Sequence, residues 1–147
     1  MTTSGAETPG QWWELAALVH GLDIHNNALL RERATKVGLT VMQASTLRAL
    51  TGPMTLSELA GLMSCEPSNV IVVIDKLEKQ GLIERRPHPT DRRAKQLHLT
   101  PEGTERRAKL LETLNEKPFS TGLTEQEQDA LRSLLRQAIA AAGSAEA

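Results

Sequence analysis

No stretch limits the possible folds more than CEPSNVIVVIDKLEKQGLIERR, Cys65 to Arg86, because two rules of local structure disagree over it. Val70 to Ile74 are five consecutive β-branched residues, which propensity assigns to a strand. Against this, Pro67 suits the first position of a helix and Gly81 suits the residue just beyond one, while Val70, Val73, Ile74 and Leu77 fall at i, i+3, i+4 and i+7. Branching costs a helix only about a few tenths of a kcal/mol per residue, and burial overrides that. The spacing predicts a helix over 67–80.

The neighbouring segments then fall into place. LIERR after Gly81 is short and β-like, and QLHLT alternates Leu97 and Leu99 with Gln96, His98 and Thr100, so the two predict a hairpin whose long tip runs from Arg86 to Lys95. Upstream, Leu15, Leu18, Val19, Leu22 and Leu29 form a helical stripe over 11–36 that Gly38 ends. Thr40 with Gln43, Thr55 with Glu58 and Thr124 with Glu127 have the capping-box spacing, in which hydroxyl and later side chain satisfy each other's orphan N–H groups; helices start near 41, 56 and 125. Thr100 before Pro101 is a further start. Ala130, Leu131, Leu134, Leu135 and Ala138 give 125–141 an apolar seam.

This order predicts a mainly α (α+β) fold: a winged helix-turn-helix with a two-stranded wing hairpin and extra N- and C-terminal helices. The expectation is a single domain, 1–147, in which 40–100 forms the winged helix-turn-helix lobe and 11–36 plus 101–141 the flanking helices. Apolar seams on 12–30 and 123–139 are too exposed for a monomer of this size, and pairing two copies buries them. Residues 2 to 10, and those after Ala140, are expected to fray.

Composition removes other classes. With 2% aromatic residues and no Tyr, the core must be built from Leu, Val, Ile and Ala. No run approaches the roughly 18 apolar residues of a membrane span, and MTTSGAETPG lacks the basic start and apolar stretch of a secretory signal, so the cytoplasm is expected. A single cysteine, Cys65, excludes an intrachain disulfide and a multi-cysteine metal cage. Clustered acids, a nucleophile with a base and a phosphate loop are all missing, so neither enzyme chemistry nor a cofactor is expected. His20 and His25 lie five apart on different faces of one helix, a poor metal pair within one chain, although they could meet across a dimer; Trp12 and Trp13 anchor the dimer seam, the favoured reading, or line a pocket.

A net charge of -1 hides a local asymmetry. Lys76 to Lys109 hold ten Lys and Arg against five Asp and Glu, whereas residues 1–75 hold four against seven and 110–147 three against six. Such a block has the form of a nucleic-acid footprint, although charge alone fits an ordinary solvated face as well.

LSELAGLMSCEPSNV, IDKLEKQGLIERR and DRRAKQLHLTPEG together resemble the MarR family of bacterial transcription regulators. The family's most specific signature, Asp-Arg-Arg-Ala with a spaced Leu-Thr and a Gly, lies at Asp91 to Gly103, and the resemblance covers roughly residues 12 to 140. It implies a homodimer interlocked through the first and last two helices, with the second helix of the motif in the major groove and the hairpin tip at the minor groove. Arginine is attracted there by the negative potential of a narrow groove.

Expected DNA contacts are Ser68, Asn69, Val72 and Lys76 on the reading helix and Arg86, Arg92, Arg93 and Lys95 on the wing. The resemblance makes Asp91 a brace that pairs with a neighbouring arginine. Asn69 has the chemistry to bond an adenine edge. Relatives commonly show Pro-Ser-x-Val-Thr where this chain has Pro67, Ser68, Asn69, Val70 and Ile71, so Ile71 or Val72 either meets a thymine methyl or packs. Glu66 stands where a better capping Asp or Ser is frequent.

The partner implied is double-stranded DNA with a pseudo-palindromic operator, half-sites roughly 10 bp apart. The function implied is a homodimeric repressor released by a small-molecule effector. Two alternatives stand beside it: a winged-helix protein-assembly module whose basic tip meets an acidic partner, and a redox-sensing regulator using Cys65.

Overall fold

The structure, a computed structural model, describes residues 9–116 and 122–145. The chain divides into two compact units, Met1–Lys117 and Pro118–Ala147. The first holds α1 (Pro9–Lys36), α2 (Val41–Ala49), α3 (Leu56–Leu62), α4 (Pro67–Lys79), β1 (Ile83–Pro87), β2 (Lys95–Leu99) and α5 (Pro101–Glu116); the second holds α6 (Glu125–Ala145). The winged helix-turn-helix order is present. Among the described residues no helix is long and apolar enough to cross a membrane.

Local chemistry sets most boundaries. Thr40 and Gln43, Thr55 and Glu58, and Thr124 and Glu127 close reciprocal capping boxes before α2, α3 and α6. Gly38 and Gly81, at φ 69° and 74°, take the left-handed conformation that ends α1 and α4. After α4 the Leu82 N–H bonds to Leu77 O and Gly81 N–H to Glu78 O, each at 3.0 Å, which satisfies the last carbonyls of the helix.

Tertiary burial decides the β-branched run in favour of helix. Val70, Ile74 and Leu77 are fully buried. Each contributes about 1.5–3 kcal/mol on burial, well above the propensity penalty. They join Leu30, Ala34, Leu47, Leu59, Leu82, Ile83, Leu97 and Leu110 in one core, with α2 packed on α1, α4 and α5.

Several boundaries differ from the sequence reading, among them the end of α4, at Lys79 rather than residue 80. α1 begins at Pro9 rather than Gln11, and α6 continues to Ala145, past the Ala140 beyond which fraying is expected; Ala and polar residues are compatible with a helix there. The fraying expected before residue 9 lies outside the described residues. The hairpin pairs Arg86 with Gln96 and Pro87 with Lys95, which leaves His88 to Ala94 as the tip and puts Arg86 and Lys95 inside strands. Pro87 is tolerated because a two-stranded sheet offers an edge where its missing N–H is not needed. Met54 adds an isolated bridge to Leu97 through bonds of 3.3 and 2.8 Å, a third rung no local pattern announces.

α1 divides along its length, and the expected stripe lies on the part outside the core, with Leu29 half-buried. Leu30, Arg33 and Ala34 enter the core, whereas Leu15, Leu18, Val19 and Leu22 stay exposed, as do Trp12 and Trp13, the latter at 72%. Leu134 and Ile139 on α6 are likewise exposed.

Candidate nucleic-acid interface

α4 separates its two faces cleanly. With Val70, Ile74 and Leu77 turned inward, Ser68, Asn69, Val72, Lys76 and Lys79 are exposed, and 69, 72, 76 and 79 form one stripe at helical spacing. Val72 is 53% exposed, so it does not pack within the chain, while Ile71 is half-buried. Glu66 supplies no side-chain cap, and Pro67 removes an N–H from the first turn. The helix therefore presents Ser68 and Asn69 at its uncapped, partially positive end.

The hairpin stands beside this face and is tied to it. Arg85 on β1 reaches back to α4, its Nη2 2.6 Å from Asp75 Oδ1 and its Nε 3.5 Å from Glu78 Oε2. These groups are partly exposed, so the pairs contribute little to stability. Their effect is geometric: the exposed stripe of α4 and the first strand of the wing keep a set relation.

At the tip Arg92 and Arg93 are exposed without an ion pair, as is Lys95 at the start of β2. Arg86 is exposed but its guanidinium pairs with Glu84 on its own strand. The expected brace takes a different form. Asp91 Oδ1 accepts the backbone N–H of Arg93 at 3.0 Å, so the acid shapes the main chain and leaves both guanidinium groups unpaired.

Several bases counted in the local excess serve the fold instead. Arg106 Nη1 donates to Val37 O at 3.0 Å, and Arg107 donates from Nε to Leu47 O at 2.9 Å and from Nη2 to Arg48 O at 3.1 Å. Both act as caps on the carbonyl ends of α1 and α2. Lys109 pairs with Glu105 one turn earlier. What remains unpaired in the basic block is Lys76, Lys79, Arg92, Arg93 and Lys95, all on α4 and the wing.

Other candidates fall elsewhere. Cys65 is half-buried against the core, with its thiol donating to Met63 O at 3.3 Å. His20 and His25 are exposed on α1. Among the described residues no three His, Cys, Asp or Glu gather into a metal-binding group.

Three comparisons bear on this arrangement. A family model described as MarR family matches residues 39–95. The transcriptional regulatory protein assigned to the hcr operon of Thauera aromatica is 33% identical over 141 residues, covering 84% of this chain and 85% of that protein. Among solved structures, a mutant MarR from E. coli complexed with operator DNA is similar with a TM-score of 0.76 at 22% identity, over 90% of this chain and 99% of that one, a likeness of fold. BpsR of Bordetella bronchiseptica, whose DNA binding is regulated by 6-hydroxynicotinic acid, matches with a TM-score of 0.71 at 25% identity, over 84% and 97%.

Proposed function

The chain belongs to the MarR family of transcription regulators, and on that footing we propose that it is a homodimeric, cytoplasmic, sequence-specific DNA-binding repressor released by a small-molecule effector. The observation that carries this reading is that every unpaired base of the basic block lies on the exposed stripe of α4 or on the wing beside it. Ser68, Asn69 and Val72 meet base edges or the adjacent phosphates in the major groove, Lys76 meets phosphate, and Arg92 and Arg93 enter the minor groove, with Arg86 and Lys95 supporting at the strand ends.

Dimerisation follows from the apolar residues left outside on α1 and α6, Trp12, Trp13, Leu15, Leu18, Leu134 and Ile139 among them. The lobe of 40–100 and the helices 11–36 and 101–141 work as one functional domain in each subunit. A two-fold pair sets two reading helices on half-sites about 10 bp apart.

A cleft of about 390 Å³ between the end of α2, β2 and α5 supports effector control. Its size suits a small molecule, with Leu50, Leu99 and Leu111 as apolar walls and His98, Thr104 and Arg107 as polar groups. The decisive experiment is fluorescence anisotropy on the DNA upstream of the gene's own start and on a scrambled duplex, at several salt concentrations. Preferential binding with a steep salt slope is expected, because bound cations are released from the phosphates. Equal, weak binding to both duplexes would overturn the reading.

A further inference from the structure

His88 sits at the first position of the wing tip, half-buried between two prolines. Pro89 has no N–H, so the first main-chain donors after His88 belong to Thr90 and Asp91. Both reach the same atom: Thr90 N–H is 3.2 Å and Asp91 N–H 3.0 Å from His88 Nδ1. The Thr90 hydroxyl is 3.3 Å from that nitrogen. Accepting an N–H at Nδ1 requires its lone pair, which puts the proton of the neutral ring on Nε2.

The rest of the tip is built on this turn. His88 N–H donates to Ala94 O and Ala94 N–H to Asp91 O, each at 3.2 Å, and Asp91 Oδ1 accepts the Arg93 N–H. Two of these three bonds end on Asp91, at its carbonyl and its carboxylate, and Asp91 is in turn held by its own N–H to His88 Nδ1. We infer that His88 is a positioning residue for DNA binding, whose Nδ1 acceptor pre-orders the wing tip that presents Arg92 and Arg93. The inference rests on the wing-contact reading above, and it assigns the order of the tip to one ring nitrogen. Pre-ordering raises affinity because a loop already in its bound shape loses less conformational freedom on binding.

The chemistry allows a sharp test. Asparagine Oδ1 is the same number of bonds from the backbone as His Nδ1, whereas the glutamine carbonyl or amide extends one bond further and stands where Nε2 does. His88→Asn should therefore bind the operator within about twofold of wild type, and His88→Ala and His88→Gln should each bind about tenfold more weakly. In the full-length protein without DNA, nitrogen NMR should show the Nε2–H form of His88. Amide exchange at Thr90 and Asp91 should be slow in wild type and His88→Asn and fast in the other two.

Rescue by Gln and not by Asn would assign a direct DNA contact through Nε2 and overturn the inference. So would His88→Ala and His88→Gln that bind like wild type while Arg92→Ala and Arg93→Ala weaken binding. If the arginine variants also bind like wild type, the wing-contact reading itself fails and the positioning role falls with it. Should His88→Ala prove unstable, the contrast between Asn and Gln still decides.

Discussion

Replacing Gly103 by alanine tests how closely α5 must approach the backbone that follows α4. Inside an exposed helix the change favours Ala by up to about 1 kcal/mol. At 103 the added methyl would run into the Leu82 carbonyl oxygen, with Leu82 C 2.9 Å and Cα 3.3 Å away. Relief requires α5 to retreat, and the joint is fastened on both sides. Leu82 is held by its N–H to Leu77 O at 3.0 Å and by Thr100 N–H to its own carbonyl at 3.1 Å. Thr100 Oγ1 donates to Gly81 O at 2.6 Å and accepts from Gly103 N–H at 3.0 Å. Losing two or three of these bonds at about 1 kcal/mol each outweighs the propensity gain, so Gly103→Ala should destabilise by about 1–3 kcal/mol net. Urea unfolding followed by circular dichroism reads this, at one fixed protein concentration because a dimer's stability depends on it. Gly61→Ala in α3 is the control: nothing lies within 4 Å of an added Cβ, and it should stabilise by about 0.4–1 kcal/mol. A Gly103→Ala midpoint equal to or above wild type, with the control behaving, would refute the steric argument.

On DNA, Asn69→Ala should cost about 1–3 kcal/mol on the operator and little on a scrambled duplex, as anisotropy titrations would show; equal losses on both would remove Asn69 from base reading. Arg92→Ala or Arg93→Ala should weaken both duplexes together and lower the salt slope by about one. Leu18→Glu, which puts a charge on the exposed face of α1, should yield monomers in sedimentation equilibrium and loss of operator binding, and a stable dimer would contradict the assigned seam. The Thr124 N–H and hydroxyl hold the Glu127 carboxyl below its ordinary range. Its capping contribution is therefore full above the unfolded carboxylate pKa and is lost as pH falls through the lowered folded value. The Thr124 amide shift should follow that titration in wild type, and Glu127→Gln should abolish it.

What the sequence discloses here is what local chemistry decides. The capping boxes at Thr40, Thr55 and Thr124 are legible because donor and acceptor are three residues apart. The helical reading of 67–80 survives its β-branched run because burial energy exceeds propensity. The exposed candidates on that helix, Ser68, Asn69, Val72 and Lys76, follow from the same period. Arg106 and Arg107 show the opposite case, since their carbonyl partners lie 69 and 60 residues away and nothing local distinguishes them from bases that face solvent. Counting charge therefore overstates the footprint. The tip is an intermediate case: the Asp-Arg-Arg run marks it, but the bond from Asp91 to the Arg93 main chain depends on a turn whose acceptor is a histidine ring rather than the more familiar asparagine or aspartate.

The double anchorage of α5 has a mechanical result. Arg106 and Arg107 fasten it to the ends of α1 and α2, Gly103 seats it against Leu82, and Leu110 lies in the core, so the first half of α5 belongs to the same solid body as the reading helix. Ile83 and Leu97, buried in the same core, join the wing to that body, and Arg85 adds an ion pair to α4. Torque applied along α5 should therefore turn α4 and the hairpin together, because the joint between them is bonded on both sides. On the proposed reading, release by an effector would be a change of aim: the spacing of the two lobes would shift, and amide protection within α4 should be the same in the bound and released forms.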